Sequence, residues 1–254
     1  VNELPPILEF DPDPHGIISP TGFELSCGPQ ERLVVCFFQE ILEERAADGR
    51  LKFVGKNHSE IGDHPVYITS VDGRDVLVMH PGVGAPLAAG LLDDMTPLGI
   101  RHVIACGGAG VLQREIAVGH PVIISSAVRD EGTSYHYMPP SREAFASPRA
   151  VQVLQQVFAE AGLPAVTGKS WTTDAFFRET PAKRDRRVQE GCLVVEMEAS
   201  AFFAVAHLRG FEIGQVVYGG DLVVPEGWDA REWNTRRAPR ELLLDCALKA
   251  AAGM

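Results

Sequence analysis

The sequence predicts an α/β fold in one domain, with a parallel or mixed sheet covered by helices on both faces. Three observations carry that expectation. Short apolar runs of strand length, such as Leu33-Val34-Val35-Cys36-Phe37-Phe38 and Val103-Ile104-Ala105-Cys106, lack the alternation of a half-exposed strand. Stretches of helical length separate such runs along the whole chain. No low-complexity segment, internal repeat or interdomain linker interrupts the 254 residues, a length within the range of one α/β domain.

The elements follow in order. Residues 1–32 are rich in Pro, Gly and Asp (Pro5-Pro6, Asp11-Pro12-Asp13-Pro14, Gly28-Pro29) and read as an extended arm packed on the surface or on a neighbouring subunit. Residues 33–254 are expected to form the single domain. Its first strand leads into a helix that starts around Gln39-Glu40 and stops near Gly49. Residues 66–71 and 75–79, joined by Asp72-Gly73, read as a hairpin, because Asp-Gly between two strand patterns is a strong turn signal. A glycine turn, Gly82-Val83-Gly84, precedes a helix over 87–98. The strand at 103–106 is expected to end at a second glycine turn, Gly107-Gly108-Ala109-Gly110. A strand at 122–125 and a helix over 151–161 follow. Later, Val194-Val195 runs into Glu196-Met197-Glu198, and a helix over 199–209 is closed by Gly210.

Composition narrows the functional classes. A net charge of -11 argues against nucleic-acid binding, which wants a basic face, but leaves room for a small anion in a local pocket. No apolar run approaches the roughly 18 residues of a spanning helix, and no secretory signal is evident, so the expected setting is cytoplasmic, with no membrane partner. The five cysteines are scattered in mostly apolar surroundings and read as reduced thiols. With no C-x-x-C or H-E-x-x-H pattern, no metal site is expected.

In an open α/β sheet, ligands bind where strands end and helices begin. Glu196 and Glu198 stand at such a point, facing either a hydroxyl-rich ligand or a developing positive charge. The plainer alternative is a solvated turn with Glu in the first helical turn, favoured by the helix dipole. Gly82 and Gly84 precede a helix, whose N-terminus favours an anion. Neither glycine segment fits a P-loop or a dinucleotide fingerprint, which excludes ATP and NAD as first choices.

Five segments, in this order, resemble the nucleoside phosphorylase superfamily, which includes uridine and purine nucleoside phosphorylases and methylthioadenosine/S-adenosylhomocysteine nucleosidase. They are Gly82-Val83-Gly84-Ala85-Pro86, Gly107-Gly108-Ala109-Gly110-Val111-Leu112-Gln113, Arg129-Asp130-Glu131-Gly132-Thr133-Ser134, Thr172-Thr173-Asp174-Ala175-Phe176 and Val195-Glu196-Met197-Glu198-Ala199. The resemblance implies a single-domain three-layer α/β/α fold with a central mixed, partly barrel-like sheet, phosphorylase/hydrolase-like. It implies cleavage of the N-glycosidic bond of a nucleoside. On that basis Glu198 binds the ribose hydroxyls, Met197 packs on the sugar and Glu196 supports the sugar or base end. Phe176 stacks on the base, with Phe177 as the neighbouring candidate. Asp221, after the strand at 216–218, assists a purine leaving group. The family usually has Ser-Asp there, and this chain has Gly220-Asp221. Bond cleavage builds oxocarbenium character on the sugar and negative charge on the base, so hydroxyl contacts and proton donation both lower the barrier.

The chain departs from the family at the phosphate site. The Gly-Asp-Pro-x-Arg loop is replaced by Phe37-Phe38-Gln39-Glu40, and the family's Ser/Thr donor aligns with about Gly108. Binding phosphate beside acids without those arginines is electrostatically difficult. The reading therefore leans to hydrolysis, with Glu40 activating water. The alternatives are a phosphorylase with a rebuilt anion site, using His80, Lys56 or the glycine-turn amides, and a non-catalytic nucleoside-binding protein. No cofactor is expected, although phosphate remains available as a co-substrate. The resemblance also implies a homo-oligomer, a dimer or a hexamer built as a trimer of dimers. His136 or Tyr135 would then meet a neighbour's ligand, and Arg231 would belong to a mobile base-side helix.

Overall fold

The computed structural model describes residues 4–254. In chain order the elements are β1 (Arg32–Cys36), α1 (Gln39–Ala47), β2 (Lys52–Ser59), β3 (Gly62–Val71), β4 (Arg74–Met79) and α2 (Ala85–Asp93). Then come β5 (His102–Val111), β6 (Pro121–Asp130), β7 (Glu143–Phe145), α3 (Pro148–Glu160), β8 (Val166–Thr173) and α4 (Pro181–Gln189). The chain finishes with β9 (Cys192–Glu196), α5 (Ala199–Arg209), β10 (Glu212–Val224), β11 (Gly227–Asp229) and α6 (Arg237–Gly253).

Among the described residues the strands form one mixed sheet in the order β11-β10-β6-β8-β9-β5-β1-β4-β3-β2, with β7 on β6. A further parallel pairing of β10 with β5 closes β10, β6, β8, β9 and β5 into a barrel-like ring. β1 shows why the sheet is buried on both sides. Leu33, Val34, Val35 and Cys36 are all fully buried, so both faces of the strand need apolar cover. Leu33 and Val35 join the cluster beneath α2 and α5, whereas Val34 and Cys36 join the cluster beneath α1, α3 and α6. The sheet between these two helical layers makes a three-layer α/β/α molecule.

The hairpin expected at Asp72-Gly73 forms between β3 and β4. Both turn residues have positive φ, 51° and 75°, as a two-residue hairpin turn demands. The segment before β1 lies on the protein's own surface: the Ser26 amide donates to the Val54 carbonyl at 2.8 Å and the Gln30 amide to the Leu98 carbonyl at 3.1 Å. Residues 1–3 of the expected arm lie outside the described residues.

Three local expectations need correction. The helix expected over 87–98 stops at Asp93, and a separate 3-10 turn spans Thr96–Leu98. Pro97 has no amide hydrogen to continue the ladder, and its ring disfavours a helical residue before it. Gly107-Gly108-Ala109-Gly110 does not end the strand, because β5 runs through it to Val111. These glycines make room for rings. A Cβ on Gly107 would lie 2.9 Å from Phe37, and one on Gly108 would lie 3.3 Å from the Tyr218 ring. Asp221 does not follow its strand but lies within β10, which runs to Val224, at a register irregularity between Gly219 and Leu222.

Candidate active site

A cavity of about 830 Å³ opens where β5, β9 and β10 meet the segment after β8. Phe176, Phe177, Glu179, Glu196, Met197, Asp221, Trp228 and Trp233 line it. The paired rings of Phe176 and Phe177, 4.2 Å between centroids, form an exposed aromatic wall. Five residues singled out in the sequence therefore converge on one space: Phe176, Phe177, Glu196, Met197 and Asp221.

The Glu-Met-Glu turn is built by hydrogen bonds rather than left to solvent. Glu196 Oε1 accepts from Ser170 Oγ at 2.7 Å and Thr172 Oγ1 at 2.6 Å. Its Oε2 accepts from the Glu198 and Ala199 amides at 2.7 Å and 2.6 Å. Glu196 thus satisfies amides at the start of α5, which would otherwise be orphaned, and ties them to β8. Burial pushes its carboxyl up, and these four donors oppose that by favouring the charged form. With both oxygens engaged, Glu196 holds the turn in place beside the cavity that it lines.

Glu198 is nearly as buried, and its Oε1 accepts from the Gly84 amide at 2.6 Å. That bond brings the first glycine turn, between β4 and α2, onto the Glu-Met-Glu turn. Gly84 has φ 89°, a conformation glycine adopts freely. Burial first, then the charge of Glu196, pushes the Glu198 carboxyl up to about 8. At neutral pH this group mostly carries a proton, so it can donate as well as accept.

Sequence reasoning missed Glu179 as a wall of this cavity. Burial, with the charge of Asp221 adding to it, pushes its carboxyl up to about 7. The available signal was its place immediately before Thr180, the residue capping α4, and three residues after Phe176. Trp228 was equally hidden; its indole Nε1 donates to Asp221 Oδ2 at 2.6 Å.

Other expected residues fall outside the cavity lining. His80 Nδ1 accepts from the Gly82 amide at 3.0 Å, and the ring stands edge-on to Phe37, centroids 5.9 Å apart. Burial lowers the His80 pKa, favouring the neutral ring. Gly108 packs under Tyr218. Glu40 is ion-paired with Arg240, whose Nε donates to the Tyr218 hydroxyl at 3.2 Å. The Arg240 guanidinium also lies 5.5 Å from the Phe38 ring and 5.7 Å from the Trp233 ring. Glu40 is therefore committed to an ion pair and does not line the cavity. Arg231 donates to the Ile116 carbonyl at 3.0 Å. His136 lines a different cavity, with Asp93, Arg209 and the N-terminal segment. Among the described residues no group of three or more His, Cys, Asp or Glu could hold a metal ion, and no helix is long and apolar enough to cross a membrane.

Comparison with known proteins places this geometry. The family model described as "Phosphorylase superfamily" matches residues 31–243. Similar proteins include a guanosine phosphorylase of Halorubrum lacusprofundi, 28% identical over 162 residues, which span 63% of this chain and 67% of that protein. A uridine phosphorylase of Haemophilus influenzae is 25% identical over 178 residues, 61% of this chain and 71% of that protein. The crystal structure of a Toxoplasma gondii purine nucleoside phosphorylase in complex with immucillin-H superposes with a TM-score of 0.78 at 20% identity, covering 94% of this chain and 97% of that one. This last likeness is one of fold.

Proposed function

The chain belongs to the phosphorylase superfamily, and we propose that it cleaves the N-glycosidic bond of a purine-type nucleoside with phosphate as the acceptor. The observation that carries this reading is the convergence of Met197, Phe176, Glu179 and Asp221 on one cavity beside the buried Glu198. In this assignment the base lies between the Phe176 wall and Asp221. The ribose meets Met197, and its hydroxyls reach Glu198, exchanging hydrogen bonds with a carboxyl that can both give and accept. Phe177 flanks the base.

Glu179 and Asp221 give the base two carboxyls in one apolar space. Burial first, then the charge of Asp221, makes Glu179 hold a proton more readily than an exposed acid would. A leaving purine accumulates negative charge, and proton donation by such a pair lowers the barrier. Purine is favoured over uracil because an acid follows β10's irregularity at the base end of the cavity.

The lean towards water rested on the missing phosphate arginines, with Glu40 as the base, and Glu40 is ion-paired with Arg240. The named relatives are phosphorylases, which favours phosphorolysis. Arg240 is a mostly buried cation beside the start of α1, where this chain lacks the family's arginines. His80, beside Phe37, and Gly108, under Tyr218, complete the candidate acceptor region. A homo-oligomer belongs to this reading, with His136 serving a neighbour's site.

The test is Asp221→Ala assayed with purine nucleosides. We expect a loss of about a hundredfold or more in kcat, the ordinary cost of a lost general acid. An unchanged rate removes Asp221 from the mechanism.

A further inference from the structure

We infer that Trp228 is a positioning residue for Asp221, holding the carboxyl so that its free oxygen faces the base and stabilising the charge left after proton transfer. The inference rests on the assignment of Asp221 to the leaving base. The backbone explains why the two side chains meet. β11 pairs antiparallel with β10, with Val223 opposite Trp228 and Val224 opposite Gly227. Residues two apart on a strand share a face, so Asp221 and Val223 point into the cavity together. Trp228, opposite Val223, is then the diagonal neighbour of Asp221, within reach of a long side chain.

The resulting bond is short, 2.6 Å from Trp228 Nε1 to Asp221 Oδ2, and it is the hydrogen bond that the Asp221 side chain makes among the described residues. Indole has one polar atom, a donor, and here it is committed to that carboxyl. Trp228 is otherwise an exposed aromatic, 65% accessible, on a short edge hairpin. Burial of its ring is therefore not what fixes it.

The indole occupies Oδ2, so a proton passed to the base leaves from Oδ1. In the reaction the Oδ1–H bond breaks and an N–H bond forms on the purine, while the electron pair of the glycosidic C–N bond passes into the purine ring. Asp221 is left as a carboxylate. The indole bond then becomes charge-assisted, and so is stronger after transfer than before it. An interaction that strengthens along the reaction raises kcat rather than affinity.

Trp228→Phe keeps the ring and removes the donor. It is assayed beside Asp221→Asn on guanosine and on 7-methylguanosine, whose cationic base leaves without needing a proton. With guanosine, Trp228→Phe is expected to lower kcat about tenfold or more with KM changed less than about twofold. With 7-methylguanosine each variant is expected to lose less than it does with guanosine. A Trp228→Phe enzyme with unchanged kcat on guanosine, beside a crippled Asp221→Asn, overturns the inference and leaves the Asp221 assignment standing. An equal loss on both nucleosides also overturns it, since a merely structural residue would behave so. An unimpaired Asp221→Asn overturns the underlying assignment, and this inference falls with it.

Discussion

Glu198 owes its chemistry to its surroundings rather than to its residue type. Its ordinary value is 4.5, and burial together with Glu196 lifts it to about 8. A carboxyl held above its unfolded value binds a proton more tightly in the folded chain. Stability therefore declines as pH rises from about the ordinary value, and the decline is complete once pH passes the folded value. Glu198→Gln removes this burden. We expect the variant to be more stable than the unmutated protein at pH 8, with the gap closing towards pH 5. Thermal midpoints across that range check it, and a gap that is constant or grows towards acid contradicts the account. Glu198 stood out in the sequence as an acid at the end of an apolar run, whereas Met197 and Asp221 were singled out through the family resemblance. Glu179 was not, since its raised value comes from burial and then from Asp221, both produced only by folding. The engagement of Glu196 was equally hidden, because Ser170 and Thr172 reach it from β8.

At the scale of elements, apolar runs gave the strands, but the glycines in them misled. Glycine after an apolar run has two physical uses, a turn or a close approach, and local sequence does not separate them. In β5 the use is close approach. The rings that need the space belong to Phe37, just after β1, and Tyr218, on β10. Gly107→Ala would put a Cβ 2.9 Å from Phe37, beneath the start of α1. Overpacking of this kind costs about 1–3 kcal/mol. Chemical denaturation should show a lower midpoint with little change in slope, and an unaltered midpoint would mean that the Phe37 ring is free to yield. The Asp72-Gly73 hairpin was readable because its requirement is local, two residues of positive φ between strand patterns. The end of α2 was misread by overextending a helical pattern through Pro97.

At the scale of the whole molecule, the alternation of apolar runs and helical stretches sufficed for a covered sheet. Closure into a ring was not visible in that alternation. It depends on β10 pairing with both β5 and β6, contacts between segments far apart in sequence. The same long-range assembly places a cation beside Glu40. Glu40 looked like an unencumbered acid at the start of α1, until α6 delivered Arg240 to it from the other end of the chain. The charge at that point is thus one of each sign, which suits a site able to admit an anion better than one built to activate water. The central claim is phosphorolysis of a purine-type nucleoside, and its most direct test is base release from purine nucleosides measured with and without phosphate, with the sugar product identified. The account predicts release only with phosphate, yielding ribose 1-phosphate in step with free base. Release in phosphate-free buffer with free ribose as product would contradict it.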